Sequence, residues 1–179
     1  MRLFISINLN EDICDRIYDA ICHIKEIARK GHFSRKENLH VTLAFLGEVD
    51  SDDVDKVKLC MDAVNVESFD IHIGGLGRFK RTGFDIYWIG IEKSNPMSEL
   101  HKLLNYELNS KGFSVDMREF KPHLTLGREV NCDYQESKKL VEELGSMTQS
   151  VNKFSLMLSE RINGKLVYTE LYTRELIKK

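Results

Sequence analysis

The chain has 179 residues, 42% hydrophobic and 30% charged, with 11 Gly and 2 Pro; this composition excludes collagenous, low-complexity and disordered classes and suits one soluble domain. With 26 Lys and Arg against 28 Asp and Glu, the net charge is -2, so no global positive field drives binding to long duplex nucleic acid and any RNA contact must be local. Cys14, Cys22, Cys60 and Cys132 form no C-x-x-C pair, which points to free thiols in a reducing compartment rather than a zinc knuckle or a disulfide scaffold.

Met1 to Leu9 alternates apolar and polar residues and lacks the continuous apolar core of a secretory leader, so it reads as a strand. No run approaches roughly 18 apolar residues. A cytoplasmic location and no membrane association are therefore expected. After Asn10, the positions Ile13, Ile17, Ile21, Ile24 and Ala28 recur at spacings of three and four up to Gly31, the pattern of an amphipathic helix with a glycine stop. Residues 39–46 alternate again, and Gly47 ends that strand. Asp50, Asp52, Asp53 and Asp55 supply an acidic first turn to a helix carrying Val54, Val57, Met61 and Val64. Strands are expected at 68–73 and 84–92, with Phe84, Tyr87 and Trp88 of the second placed mostly in the core.

The second half repeats this theme. Asn95 as cap and Pro96 at the first helical position open a helix bearing Leu100, Leu103, Leu104 and Leu108, which stops at Gly112. A strand spans 121–128. Asp133 with Glu136 three residues on resembles a capping box for a helix carrying Leu140, Val141 and Leu144. Closing strands at 151–159 and 165–173 flank Asn163-Gly164, a pair that favours a type I′ hairpin. No Gly-, Ser- or Pro-rich linker interrupts the chain. The expected fold is α+β, mostly antiparallel, with two similar lobes in one domain over residues 1–179.

One tetrapeptide occurs twice, His40-Val41-Thr42-Leu43 and His123-Leu124-Thr125-Leu126, 83 positions apart. Chance would supply about 0.02 H-x-T-L strings in a chain of this composition. In a strand, residues i and i+2 share a face about 6.6 Å apart. Each motif thus presents an imidazole beside a hydroxyl while its apolar positions face the core. Two such strands across one cleft suit phosphoryl chemistry: one His acts as base on the attacking oxygen and the other as acid on the leaving oxygen, while Thr hydroxyls donate to the non-bridging oxygens. Arg128, five residues after His123, adds a positive charge. Strict alternation puts it on the face opposite His123, so it reaches a phosphate only if the strand bulges or ends near Gly127. Phe45 holds the equivalent place in the first motif.

With these motifs in view, the sequence resembles the two-histidine phosphoesterases, specifically the RNA 2′,3′-cyclic phosphodiesterase or 2′-5′ RNA ligase family. The resemblance covers nearly the whole chain. It rests on Met1 to Ile5, Glu37 to Gly47, Gly77-Arg78-Phe79 followed by Trp88, and Phe120 to Arg128, and more weakly on Ser159 and Tyr168. Between Gly31 and Lys36, where related chains often carry a Trp, this one has none. The resemblance implies a bilobal fold around a central cleft and metal-independent opening of a 2′,3′-cyclic phosphate to a 2′-phosphomonoester.

The expected catalytic pair is His40 as general acid and His123 as general base, with the labels open to exchange. Thr42, Thr125 and Arg128 are expected to bind the phosphate. Arg78, Lys80 and Arg81, a basic cluster with Phe79 inside it, are expected to track a single-stranded RNA end. No metal or cofactor is expected, because the spacing is H-x-T rather than H-x-H and no carboxylate pattern completes a ligand set. The expected partners are RNA ends or small nucleotides bearing a 2′,3′-cyclic phosphate, and the expected state is a monomer. The rival functions are ligation by the reverse reaction and a non-catalytic RNA- or nucleotide-binding module.

Overall fold

The computed structural model describes residues 1–116 and 118–178. The elements run β1 (Arg2–Asn8), α1 (Glu11–Ile27), β2 (Lys30–Phe33), β3 (His40–Glu48), α2 (Val54–Asp62), β4 (Phe69–Arg81), β5 (Phe84–Ile91), α3 (Asn95–Ser110), β6 (His123–Asn131), α4 (Tyr134–Glu142), β7 (Met147–Val151), β8 (Lys153–Ile162) and β9 (Lys165–Glu175). The strands form two antiparallel sheets, β3-β1-β8-β9 and β2-β6-β5-β4-β7. No described helix is long and apolar enough to cross a membrane.

Each sheet buries one face beneath a pair of helices. Helices α2 and α3 pack together over β9 and β3 of the four-stranded sheet, whereas α1 and α4 pack together over β2 and β4 of the five-stranded one. The lobes are therefore not the two halves of the sequence. Each lobe combines strands and one helix from both halves. The periodicity of α1 explains its side of the packing: Ile13, Ile17, Ile21 and Ile24 are all at most 2% exposed, and each buried isoleucine contributes roughly 1.5–3 kcal/mol relative to exposure.

Several boundaries differ from the sequence expectation for identifiable reasons. Strand β4 continues to Arg81 through Gly74-Gly75-Leu76-Gly77, because Gly75 adopts φ +74° at a register shift and lets pairing with β5 resume. The short strands β2 and β7 carry little apolar alternation. In β7 the inward middle position is Gln149, which is 5% exposed; it accepts the Asn10 N–H at 2.8 Å and donates to the Asn8 carbonyl at 3.0 Å. This clasp fixes the junction between β1 and α1. The cap of α3 is Ser94, not Asn95, its hydroxyl accepting the Met97 N–H at 3.4 Å. Asp133 caps α4 by accepting the Glu136 N–H at 2.9 Å, and Asn163 and Gly164 take φ +50° and +78° in the hairpin turn, as that residue pair requires.

Candidate active site

The two H-x-T motifs open β3 and β6, which belong to different sheets yet approach within 8 Å between Cα atoms. In each, the apolar positions are buried and the His and Thr are half-buried on the opposite face. Both imidazoles are oriented in the same way. His40 Nδ1 donates to the Asn38 carbonyl and His123 Nδ1 to the Lys121 carbonyl, each at 2.7 Å and each two residues upstream. That bond holds the proton of the neutral ring on Nδ1 and leaves Nε2 for the cleft. His40 Nε2 lies 3.1 Å from Thr42 Oγ1, so the motif's hydroxyl meets its own imidazole.

An aromatic cradle holds each ring. Phe4 of β1 and Tyr168 of β9 pack on His40, with ring centroids 4.8 and 5.2 Å away. Phe79 of β4 and Trp88 of β5 pack on His123 at 5.4 and 5.9 Å. Trp88 is thus half-buried on the face of His123, while Tyr87, its neighbour on the other face, lies in the core and Phe84 is exposed. The indole lies directly across Gly77, where a Cβ would come within 2.1 Å of the ring. A side chain at position 77 would displace the tryptophan.

Arg128 reaches the cleft face through a bulge. Trp88 pairs with Thr125 but Tyr87 pairs with Gly127, so Leu126 is the extra residue. Leu126 and Gly127 both turn inward, and alternation then returns Arg128 to the side of His123 and Thr125. Glu129 follows with φ +51°, a left-handed conformation that is uncommon outside glycine. Strand β3 has the same device: Ser6 pairs with Thr42 but Ile5 with Ala44, which makes Leu43 the extra residue. That bulge sends Phe45, 60% exposed, to the face of His40. The two strands share one geometry but differ in what they deliver, a guanidinium on one side and a phenyl ring on the other.

The electrostatics connect the two sides. Burial depresses the pKa of His40 below the ordinary imidazole value; the Asn38 carbonyl opposes this, and the positive charges of Arg128 and His123 add to it. Burial likewise raises the Tyr168 phenol, with Arg128 and Arg2 pulling it back. Among the described residues, no group of three His, Cys, Asp or Glu side chains is placed to hold a metal ion.

The basic cluster divides. Arg78 lies on the β4 face opposite Phe79, with an Nη1 atom 2.9 Å from Asp85 and the guanidinium 4.2 Å above the Tyr134 ring. It is tied down under α4, on the face away from His123. Lys80 and Arg81 are exposed at the β4–β5 hairpin. Phe79, read from the sequence as part of that cluster and of the Gly77-Arg78-Phe79 stretch, is a neighbour of His123. Phe4 enters the sequence reading only within the Met1 to Ile5 stretch and with no role of its own, because in sequence it is one more apolar residue of an alternating strand. The carbonyls of Asn38 and Lys121 leave no side-chain signal at all.

Comparison with known proteins gives the family and the fold. The family model for the 2′-5′ RNA ligase superfamily matches residues 14–162. An RNA 2′,3′-cyclic phosphodiesterase of Thermotoga maritima is 30% identical over 177 residues, covering 96% of this chain and 94% of the relative. The apo structure of Escherichia coli LigT superposes with a TM-score of 0.80 at 24% identity, covering 98% of this chain and 97% of that one. A structure from Thermus thermophilus superposes at 0.81 and 21% identity over the full length of both chains. These two structural likenesses establish the fold.

Proposed function

Because the chain belongs to the 2′-5′ RNA ligase superfamily, we propose that it hydrolyses RNA 2′,3′-cyclic phosphate ends to 2′-phosphomonoesters, with His40 and His123 as the acid–base pair. The observation that carries this reading is the matched pair of Nδ1–H bonds at 2.7 Å, which aim two Nε2 atoms from neighbouring strands into one cleft. A binding module has no need of two titratable groups locked in the same tautomer.

On this reading each group has one task in the reaction. A cyclic phosphate between the two rings has its attacking water on the side of one imidazole and its leaving oxygen on the side of the other. His123 Nε2 takes a proton from the water as its oxygen bonds to phosphorus. His40, protonated, gives its Nε2 proton to the 3′ oxygen as the P–O3′ bond breaks, leaving the phosphate on the 2′ oxygen. Thr42 and Thr125 donate hydroxyls to the non-bridging oxygens, and Arg128 supplies positive charge where negative charge builds up. With an RNA 5′-hydroxyl in place of the water the same groups carry out 2′-5′ ligation, the hydroxyl oxygen bonding to phosphorus as P–O3′ breaks. At the hairpin, Lys80 and Arg81 extend the positive surface for a longer RNA.

The exchange of roles has one observation in its favour: burial lowers the proton affinity of His40, which suits a base. A substrate with sulfur at the bridging 3′ position decides between the two, since thiolate leaves without a proton. Restored activity of His40→Ala on that substrate assigns His40 as the acid; restored activity of His123→Ala assigns the reverse. On an ordinary RNA ending in 2′,3′-cyclic phosphate, each His→Ala variant should lose about 10² to 10⁴ in kcat, the scale for a positioned acid or base. Full activity in either variant, or no 2′-phosphate product from the unaltered protein, overturns the proposal.

A further inference from the structure

The segment between β2 and β3 touches both walls of the cleft. Near its end, Asn38 supplies the carbonyl that orients His40, and the side chains of Arg35 and Asn38 both donate to the Leu166 carbonyl of β9. Ser34, at its start, faces β6 instead. Its N–H donates to the Leu126 carbonyl at 2.8 Å and its hydroxyl to the Thr125 carbonyl at 2.7 Å.

Those two acceptors belong to consecutive residues. In a regular strand successive carbonyls point to opposite edges, so one residue alongside can meet only one of them. Here the extra residue, Leu126, turns both toward Ser34. The Leu126 carbonyl is met by backbone, as in any ladder, but the Thr125 carbonyl is met by a side chain. An alanine at position 34 would have an N–H for the first and nothing for the second. Gly127 completes the bulge, because the Phe33 ring covers it and a Cβ there would come within 2.9 Å of that ring. Leu126 and Gly127 can therefore both turn inward, and Arg128 emerges on the side of His123 and Thr125.

We infer that Ser34 is a positioning residue whose hydroxyl holds the bulge of β6 that carries Arg128 to the cleft. The inference rests on the role proposed for Arg128 at the phosphate and deepens it. Without the bulge, alternation puts residue 128 on the face opposite His123, so the strand has one arrangement that delivers the guanidinium and one that withdraws it. Ser34 can meet both carbonyls only in the first. It touches no substrate and acts through Arg128.

The test is a double-mutant cycle between Ser34→Ala and Arg128→Ala, with two readouts. In the free protein, the titration of His40 is followed by NMR. Arg128 opposes protonation of His40, so Arg128→Ala should raise its apparent pKa. Ser34→Ala should raise it too, by less, and should add nothing once Arg128 is gone. His123, the other charge that bears on His40, is present in every variant. In turnover of an RNA ending in 2′,3′-cyclic phosphate, Ser34→Ala should lower kcat about tenfold. In the Arg128→Ala background the same change should cost less than about twofold. Ser34→Thr, which retains the hydroxyl, should keep both the titration and kcat near those of the unaltered protein.

Equal losses in the two backgrounds overturn the inference, because Ser34 would then act by loosening the segment and its hold on His40 rather than through Arg128. A His40 titration that Ser34→Ala leaves unmoved overturns it as well. The expected titration shifts without turnover of any cyclic phosphate would support the positioning role and overturn the hydrolase reading instead.

Discussion

His40 is the residue at which burial and charge meet. Its ring sits between Phe4 and Tyr168, and its depressed pKa comes first from desolvation and then from the positive charges of Arg128 and His123, against the opposing Asn38 carbonyl. The unfolded chain binds a proton at this ring below about pH 6.5 while the folded chain resists it. His40 therefore costs stability as pH falls from there through its lower folded value. On the proposed mechanism the same shift sets the acid limb of catalysis. In the free enzyme, kcat/KM should fall on the acid side with an apparent pKa below the ordinary imidazole value, whichever role His40 plays. Arg128→Ala removes a cation that opposes protonation, so the limb should move to higher pH while kcat falls. A pH–rate profile of the variant checks both, and an unmoved limb would show that Arg128 exerts no field on His40.

The strands deliver the side chains, and here the sequence is only partly informative. The H-x-T-L repeats, the helices and the closing hairpin are legible because each has a local cause in apolar period, cap or turn residue. The faces of Arg128 and Trp88 are not. Arg128 reaches the cleft only because Leu126 is extra against β5, and Trp88 turns toward His123 only because Gly77 leaves room for the indole. Both depend on a partner strand far away in sequence. Gly77→Ala tests the second point. A methyl group within 2.1 Å of a rigid ring cannot be accommodated without displacement, at a cost of about 1–3 kcal/mol. Trp88 is the sole tryptophan, so its emission reports the move directly. The variant should show a shifted emission maximum, a lower melting temperature and reduced activity. An unchanged spectrum would mean that the ring has another place to go without loss.

At the scale of the whole molecule, the two sheets interlock. Strand β6, from the second half of the sequence, lies between β2 and β5 from the first, and β1 pairs with β8. Helix α1 packs on α4 and α2 on α3, so each helix pair draws one member from each half. Unfolding should be a single transition. Denaturation followed by far-ultraviolet circular dichroism and by Trp88 emission should give coincident midpoints, although Trp88 reports the five-stranded sheet alone. Separate midpoints would show that the lobes melt independently. Interlocking has a consequence for the chemistry as well. Two identical half-length chains exchanging strands in this way would build a cleft with matching walls, both imidazoles in equal surroundings and equally ready to hold a proton. Covalent continuity releases the walls from that equality. Phe45 and Arg128 occupy corresponding bulges yet differ in charge, so each imidazole can be given one fixed role where two equal walls would leave the proton shared between them.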